Sequence, residues 1–154
     1  DARPRGAAWR GRLPPLRVAP GGALEAGVVC ESHEASHRDG DEIRPRSARL
    51  GAMTALRLDS MSKYGLVARG DAHVYLRGGL SGRRAEHIWD HCAGVPIVAA
   101  AGGSVTDLFG RPLDFGRGRA LSANAGVLAT NGALHAEVLA ELERLRAARA
   151  LERA

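Results

Sequence analysis

The run Asp90-His91-Cys92-Ala93-Gly94-Val95-Pro96-Ile97-Val98-Ala99-Ala100-Ala101-Gly102-Gly103 constrains the fold more than any other stretch. From Cys92 to Gly103 it carries no charged side chain, its residues are small or apolar, and it ends in two glycines. This composition predicts a helix starting at Asp90 and buried on most sides, with Gly102-Gly103 as its left-handed stop. A helix of that kind needs other layers to cover it. Asp90 at its mouth admits two readings. It is a helix N-cap, or it holds a hard cation that bridges to an anion seated on the free N–H groups of the helix start.

Strand and helix patterns alternate around this run. Gly27-Val28-Val29-Cys30 predicts a short buried strand, 53–58 a second, and His73-Val74-Tyr75-Leu76-Arg77 an alternating third with Arg77 at its end. Ser104-Val105-Thr106 and Gly126-Val127-Leu128-Ala129-Thr130 supply two more. Asp59-Ser60 predicts the cap of a helix over 61–68 that stops at Gly70, and Asn131 the cap of an amphipathic helix over 133–149. Segment 41–50 has weak helical periodicity broken at Pro45, 78–86 is a basic glycine-rich loop, and 107–113 is a turn. There is no internal repeat. The class expected is α/β, a mixed sheet flanked by helices over residues 24–149, with 150–154 as a tail. Residues 1–23 hold four of the seven prolines and are expected to be loop or hairpin, with Ala7-Ala8-Trp9-Arg10 as their apolar anchor.

Composition removes some function classes. The 154 residues suffice for one core, and no apolar run approaches the roughly 20 residues of a membrane helix, so no membrane partner is expected. The net charge of +5 comes from scattered arginines without interleaved aromatics to stack bases. They read as solvated surface with some attraction for anions, and no nucleic acid partner is expected. Cys30 and Cys92 lack metal-ligand spacing and no signal peptide is evident, which predicts a reducing, cytoplasmic setting. The chain begins at Asp1 without an initiator Met, as expected of a fragment.

Two further groups of residues carry candidate chemistry. Lys63 is the single lysine, retained by chance or for its compact, strongly hydrated ammonium. Ser60 and Lys63 are three apart and are expected to share a helix face, as a phosphate seat or as a capping serine beside a surface lysine. The polar segment Glu31-Ser32-His33-Glu34-Ala35-Ser36-His37-Arg38-Asp39 follows a strand, which suits either a site loop or an ordinary surface loop.

With these residues in place, a family resemblance becomes specific. Ile88-Trp89-Asp90-His91-Cys92-Ala93-Gly94, followed by Ala101-Gly102-Gly103-Ser104-Val105-Thr106-Asp107, resembles the C-terminal signature of the lithium-sensitive, magnesium-dependent phosphatases that include inositol monophosphatase. The 3′(2′),5′-bisphosphate nucleotidase branch is the closer likeness. It is carried by Asp59-Ser60-Met61-Ser62-Lys63-Tyr64, by Gly70-Asp71-Ala72-His73-Val74-Tyr75-Leu76-Arg77, by Pro112-Leu113-Asp114-Phe115-Gly116-Arg117-Gly118-Arg119, and by Glu34-Ala35-Ser36-His37. The resemblance implies the C-terminal α/β domain of the layered phosphatase fold. It implies Asp90 as a Mg²⁺ ligand near the scissile phosphate, Ser60, Lys63 and Arg77 as holders of the nucleotide and its second phosphate, and His37 near the nucleoside. The activity implied is hydrolysis of the 3′-phosphate of adenosine 3′,5′-bisphosphate to AMP and phosphate.

The chain also departs from the pattern. The family's Glu-Glu pair and its Asp-Pro-Ile-Asp-Gly-Thr motif, both in the N-terminal half, are absent from this sequence. Asp90 is then the one family metal ligand present, so these residues alone are expected to bind metal weakly and turn over little or nothing. The missing N-terminal half becomes an expected partner, and exposed apolar surface is expected to favour association. Arg84-Ala85-Glu86-His87 stands where the family has a Glu-Lys pair. An inositol or sugar phosphate substrate, a non-catalytic nucleotide-binding module and a basic nucleic-acid binder are the alternative readings.

Overall fold

The computed structural model describes residues 14–31, 54–78 and 86–152. Five strands, β1 (Val28–Glu31), β2 (Thr54–Arg57), β3 (Val74–Arg77), β4 (Ser104–Thr106) and β5 (Val127–Thr130), form one sheet in the order β2-β1-β3-β5-β4. β1 runs parallel to β2 and β3, whereas β5 is antiparallel to β3 and β4. The sheet is mixed, as the alternating pattern predicted. The helices are α1 (Ser62–Ala68), α2 (Gly94–Ala100) and α3 (His135–Leu151).

Successive side chains on a strand face opposite ways, so a run that is apolar at every position needs cover on both faces. Val29, Val74, Leu76 and Leu128 pack with Leu134, Val138 and Leu142 at and within α3. Their strand neighbours Cys30, Tyr75, Val127 and Ala129 pack with Tyr64, Val67 and Ala68 of α1 and with Val98 and Ala101 at α2. Three layers result, with α3 on one face and the mutually packed α1 and α2 on the other. Edge strand β2 is exposed at all four residues.

Both helix stops predicted from glycine are present. Gly70 (φ +80°) and Gly102 (φ +94°) take the left-handed conformation. Behind them Asp71 and Gly103 N–H donate to the carbonyls of Leu66 and Val98, the longer bond of a Schellman motif. The start of the small-residue helix differs from expectation. Ile88–Asp90 is a separate 3-10 turn, His91 leaves helical geometry (φ −134°), and α2 begins only at Gly94 without a side-chain cap. Asp90 is therefore not its N-cap. Nor is α2 buried on most sides. Gly94, Val98 and Ala101 turn inward, while Pro96, Ile97, Ala99 and Ala100 are exposed, because α1 and the sheet cover one face only.

Long-range ties fix the irregular parts. The buried Asp107 carboxylate accepts from the N–H groups of Phe109, Arg111 and Ala125, and from the side chains of Arg111 and Asn124, which holds the long connection between β4 and β5. Asn131 Oδ1 accepts from Leu134 N–H just before α3, while its Nδ2 donates to the carbonyls of Ala19 and Pro20. Residues 14–23 are irregular, a 3-10 turn at Leu24–Ala26 follows them, and α3 continues two residues past the predicted end. Expectations for 1–13, for 32–39 with His37, and for 41–50 lie outside the described residues. Among the described residues, no helix is long and apolar enough to cross a membrane.

Candidate functional site

β3 delivers Arg77 to the end of the sheet, where two glycines let the backbones of neighbouring strands close up. A Cβ on Gly78 (φ +98°) would lie 2.7 Å from Gly126 Cα, and one on Gly126 (φ +62°) would lie 2.5 Å from the Arg77 carbonyl oxygen. Side chains at either position would push β3 and β5 apart just where Arg77 pairs with Val127.

Arg77 there meets two carboxylates from the 86–90 segment. Its Nε donates to Glu86 Oε2 at 2.6 Å, and one Nη lies 3.7 Å from Asp90 Oδ2. Glu86 is 5% exposed whereas Asp90 is 37% exposed, so one carboxylate is enclosed and the other is open to solvent. The backbone around Glu86 is pinned to the connection preceding β5, with Leu121 N–H donating to the Glu86 carbonyl and Ile88 N–H to that of Arg119. Burial by itself would raise the Glu86 pKa. The bond from His91 and the charge of Arg77 outweigh it and hold the carboxyl below its ordinary range.

Behind this pair lies a buried polar cluster. His91, fully buried, places Nε2 3.4 Å from Glu86 Oε2 and Nδ1 2.7 Å from the Tyr64 hydroxyl. The Tyr64 ring sits edge-on to Tyr75 at 5.0 Å and occupies the space that a side chain on Gly94 would need. Burial raises the pKa of both tyrosines, Tyr75 to about 12, so each keeps its proton.

The predicted residues are brought together only in part. Arg77 and Asp90 are adjacent. Lys63 is not a surface cation: it is 1% exposed, its Nζ donates to the Leu58 carbonyl at 3.2 Å and lies over the Tyr75 ring. Burial first, then the charge of Arg77, pulls its ammonium below the ordinary range. Ser60 does not share a helix face with Lys63. It precedes α1 in a left-handed conformation (φ +72°), is exposed, and its Oγ pairs with Ser62. A serine outside the helix is not subject to the three-residue facing rule. His37 lies outside the described residues.

The composition of the site limits what it holds. Its positive charges are Lys63, buried on the Leu58 carbonyl, and Arg77, partly exposed, and its solvent-open carboxylate is Asp90. Among the described residues no group of three or more His, Cys, Asp or Glu could hold a metal ion. Asp90 therefore fits as one donor of a shared coordination shell and does not make a metal site by itself. Sequence reasoning missed the supporting shell of Tyr64, Tyr75, Glu86 and His91. The signal was present in Glu86 and His91, two titratable residues five apart that flank Asp90 just before the small-residue run.

Comparison with known proteins agrees with this frame. Residues 2–147 match the model of the inositol monophosphatase family. A protein of Emericella nidulans named 3′(2′),5′-bisphosphate nucleotidase is 37% identical over 145 residues, covering 94% of this chain and 41% of that protein. One of the same name from Oryza sativa is 44% identical over 110 residues, covering 71% of this chain and 30% of its own length. The chain thus spans less than half the length of these curated relatives. Among solved structures, an inositol monophosphatase from Anabaena superposes with a TM-score of 0.64 at 25% identity, over 84% of this chain and 48% of that one. Staphylococcal IMPase-II superposes at 0.68 with 20% identity, over 96% and 55%, which shows the shared fold. The chain belongs to the inositol monophosphatase family.

Proposed function

We propose that this chain is the C-terminal part of a phosphoric monoester hydrolase that removes the 3′-phosphate of adenosine 3′,5′-bisphosphate, giving AMP and phosphate. The observation that carries the reading is the meeting of Arg77 and Asp90, a phosphate-binding cation beside a half-exposed carboxylate, on a framework whose relatives are named bisphosphate nucleotidases. In this reading Arg77 and Lys63 offset the charge of the substrate's phosphates, Ser60 contributes a hydroxyl, and His37 is assigned to the nucleoside by the resemblance alone. The family is generally metal-dependent, and Mg²⁺ is the metal proposed. Mg²⁺ takes few protein carboxylates because it shares its shell with water and phosphate, and Asp90 is the donor this chain offers. When bound, such an ion activates water and steadies charge on the phosphoryl oxygens. With one carboxylate, the chain binds the nucleotide and turns it over little or not at all, since the remaining ligands belong to the N-terminal half of the same protein.

Calorimetric titration with adenosine 3′,5′-bisphosphate, with and without Mg²⁺, tests this directly. Binding that tightens with Mg²⁺, and a Mg²⁺ increment lost in Asp90→Asn while metal-free binding persists, is the expected result. An inositol phosphate bound as well as or better than the nucleotide would overturn the substrate class. Binding by a demonstrably folded chain to neither would overturn the seat.

A further inference from the structure

An arginine side chain has four rotatable bonds, and a guanidinium aimed at a phosphate has to be held without losing its outward edge. At Arg77 the inner nitrogen, Nε, is committed to Glu86, the Tyr75 hydroxyl is hydrogen-bonded to the same side chain, and one Nη lies towards Asp90. Glu86 is approached from a second side by His91, and His91 in turn by Tyr64. In the tautomer that satisfies both contacts, the Tyr64 hydroxyl donates to Nδ1 and the His91 proton on Nε2 points at Glu86 Oε2. The hydrogen bonds then run in one direction, from Tyr64 through His91 onto Glu86, where they meet the bond from Arg77. This chain starts on α1, passes the approach to α2 and ends on β3, so it links the two helices to the strand that carries the cation.

We infer that Glu86 is a positioning residue for Arg77, and that Tyr64 and His91 act through it to set the guanidinium with its Nη edge towards the phosphate. A carboxylate serving only to neutralise Arg77 would need one contact. Glu86 makes two, and the second ends in a tyrosine whose ring is locked by Tyr75 and by the absence of a side chain at Gly94. The role of Glu86 rests on the proposed function for the identity of the ligand, but the hydrogen-bond chain does not.

Nitrogen-15 NMR of the arginine Nε–H groups in the full chain, combined with titration by adenosine 3′,5′-bisphosphate, separates the two. Tyr64→Phe keeps the ring and removes only the hydroxyl. Although Tyr64 does not touch Nε of Arg77, the variant is expected to shift the Arg77 Nε–H resonance and speed its exchange with water about 5-fold, the scale of one hydrogen bond. It is also expected to weaken nucleotide binding about 5-fold, and to have no such effect once Arg77→Lys is present. Glu86→Gln, which alters the direct contact, is expected to give the larger change in the same resonance. An Arg77 Nε–H unmoved by Tyr64→Phe in a folded chain would overturn the positioning role. If the unaltered chain binds no nucleotide, the proposed function fails while the NMR result still decides the positioning.

Discussion

Gly94 is the position at which one methyl group is expected to do most harm. A Cβ there would lie 2.8 Å from Tyr64 Cδ1 and closer still to Cγ and Cδ2, and Tyr64 is buried among Val67, Tyr75 and Val98 with little room to retreat. Alanine in place of glycine ordinarily favours a helix by up to about 1 kcal/mol, less in the first turn. Against that, displacing a packed ring costs about 1–3 kcal/mol. Breaking the Tyr64–His91 hydrogen bond and leaving its buried partners unsatisfied costs about 1–3 kcal/mol more. The net loss for Gly94→Ala is about 2–4 kcal/mol, a fall in Tm of about 5–15 °C for a chain of this size. Gly65, inside α1 with no atom within 4 Å of its would-be Cβ, is the matched control. Gly65→Ala is expected to gain up to about 1 kcal/mol. Urea unfolding followed by circular dichroism at fixed protein concentration measures both. In a Tyr64→Leu background, where the ring is gone, most of the Gly94→Ala cost disappears. A Gly94→Ala chain as stable as Gly65→Ala would refute the packing argument.

His135 and Ser60 give two more expectations. His135 is held between the hydroxyls of Thr130 and Thr106, and burial lowers its pKa below the ordinary 6.5, so the unfolded chain takes up the proton first. Its contribution is full above about pH 6.5 and falls with decreasing pH by up to about 1.4 kcal/mol per unit until the folded form also protonates; urea midpoints from pH 7.5 to 5.5 should flatten in His135→Gln, and an unchanged slope would exclude this group. Ser60→Gly relieves about 1 kcal/mol of left-handed strain and adds nearly as much freedom to the unfolded chain, leaving stability within about 0.5 kcal/mol. Loss of the hydroxyl should still weaken adenosine 3′,5′-bisphosphate binding about 5-fold by calorimetry, and undiminished affinity would remove Ser60 from the seat.

The five strands and the two glycine stops were legible because each is written in local sequence, as short apolar runs or as a glycine that takes positive φ without strain. The mixed sheet followed from their alternation with helices. The break between Asp90 and Gly94 was not legible, because composition marks a helix but not the register at which a 3-10 turn gives way to it. The depth of Lys63 was hidden for a related reason: lysine is read as surface, and only the packing of Tyr75 beneath it and the Leu58 carbonyl beside it allow an ammonium inside. Arg77 and Asp90 stood out in the sequence, but Glu86 did not. Its importance arises from a fold that brings β3, the 86–90 segment and α1 to one place.

The double grip of Asn131 bears on the order of assembly. One amide ties the carbonyls of Ala19 and Pro20, 112 and 111 positions away in sequence, to the residue that precedes α3. Closing a loop of that length costs about 4 kcal/mol of chain entropy before any contact compensates it. The β4–β5 pairing, closed over residues 107–126, and the β2–α1–β3 crossover close far shorter loops at a smaller cost. Residues 14–20 therefore settle onto a sheet already formed, as a late latch rather than a nucleus. In the native state these residues are held by a few hydrogen bonds and no sheet ladder, so the amide of Val18, bonded to the Ala101 carbonyl, should exchange with solvent well ahead of those in β3 and β5.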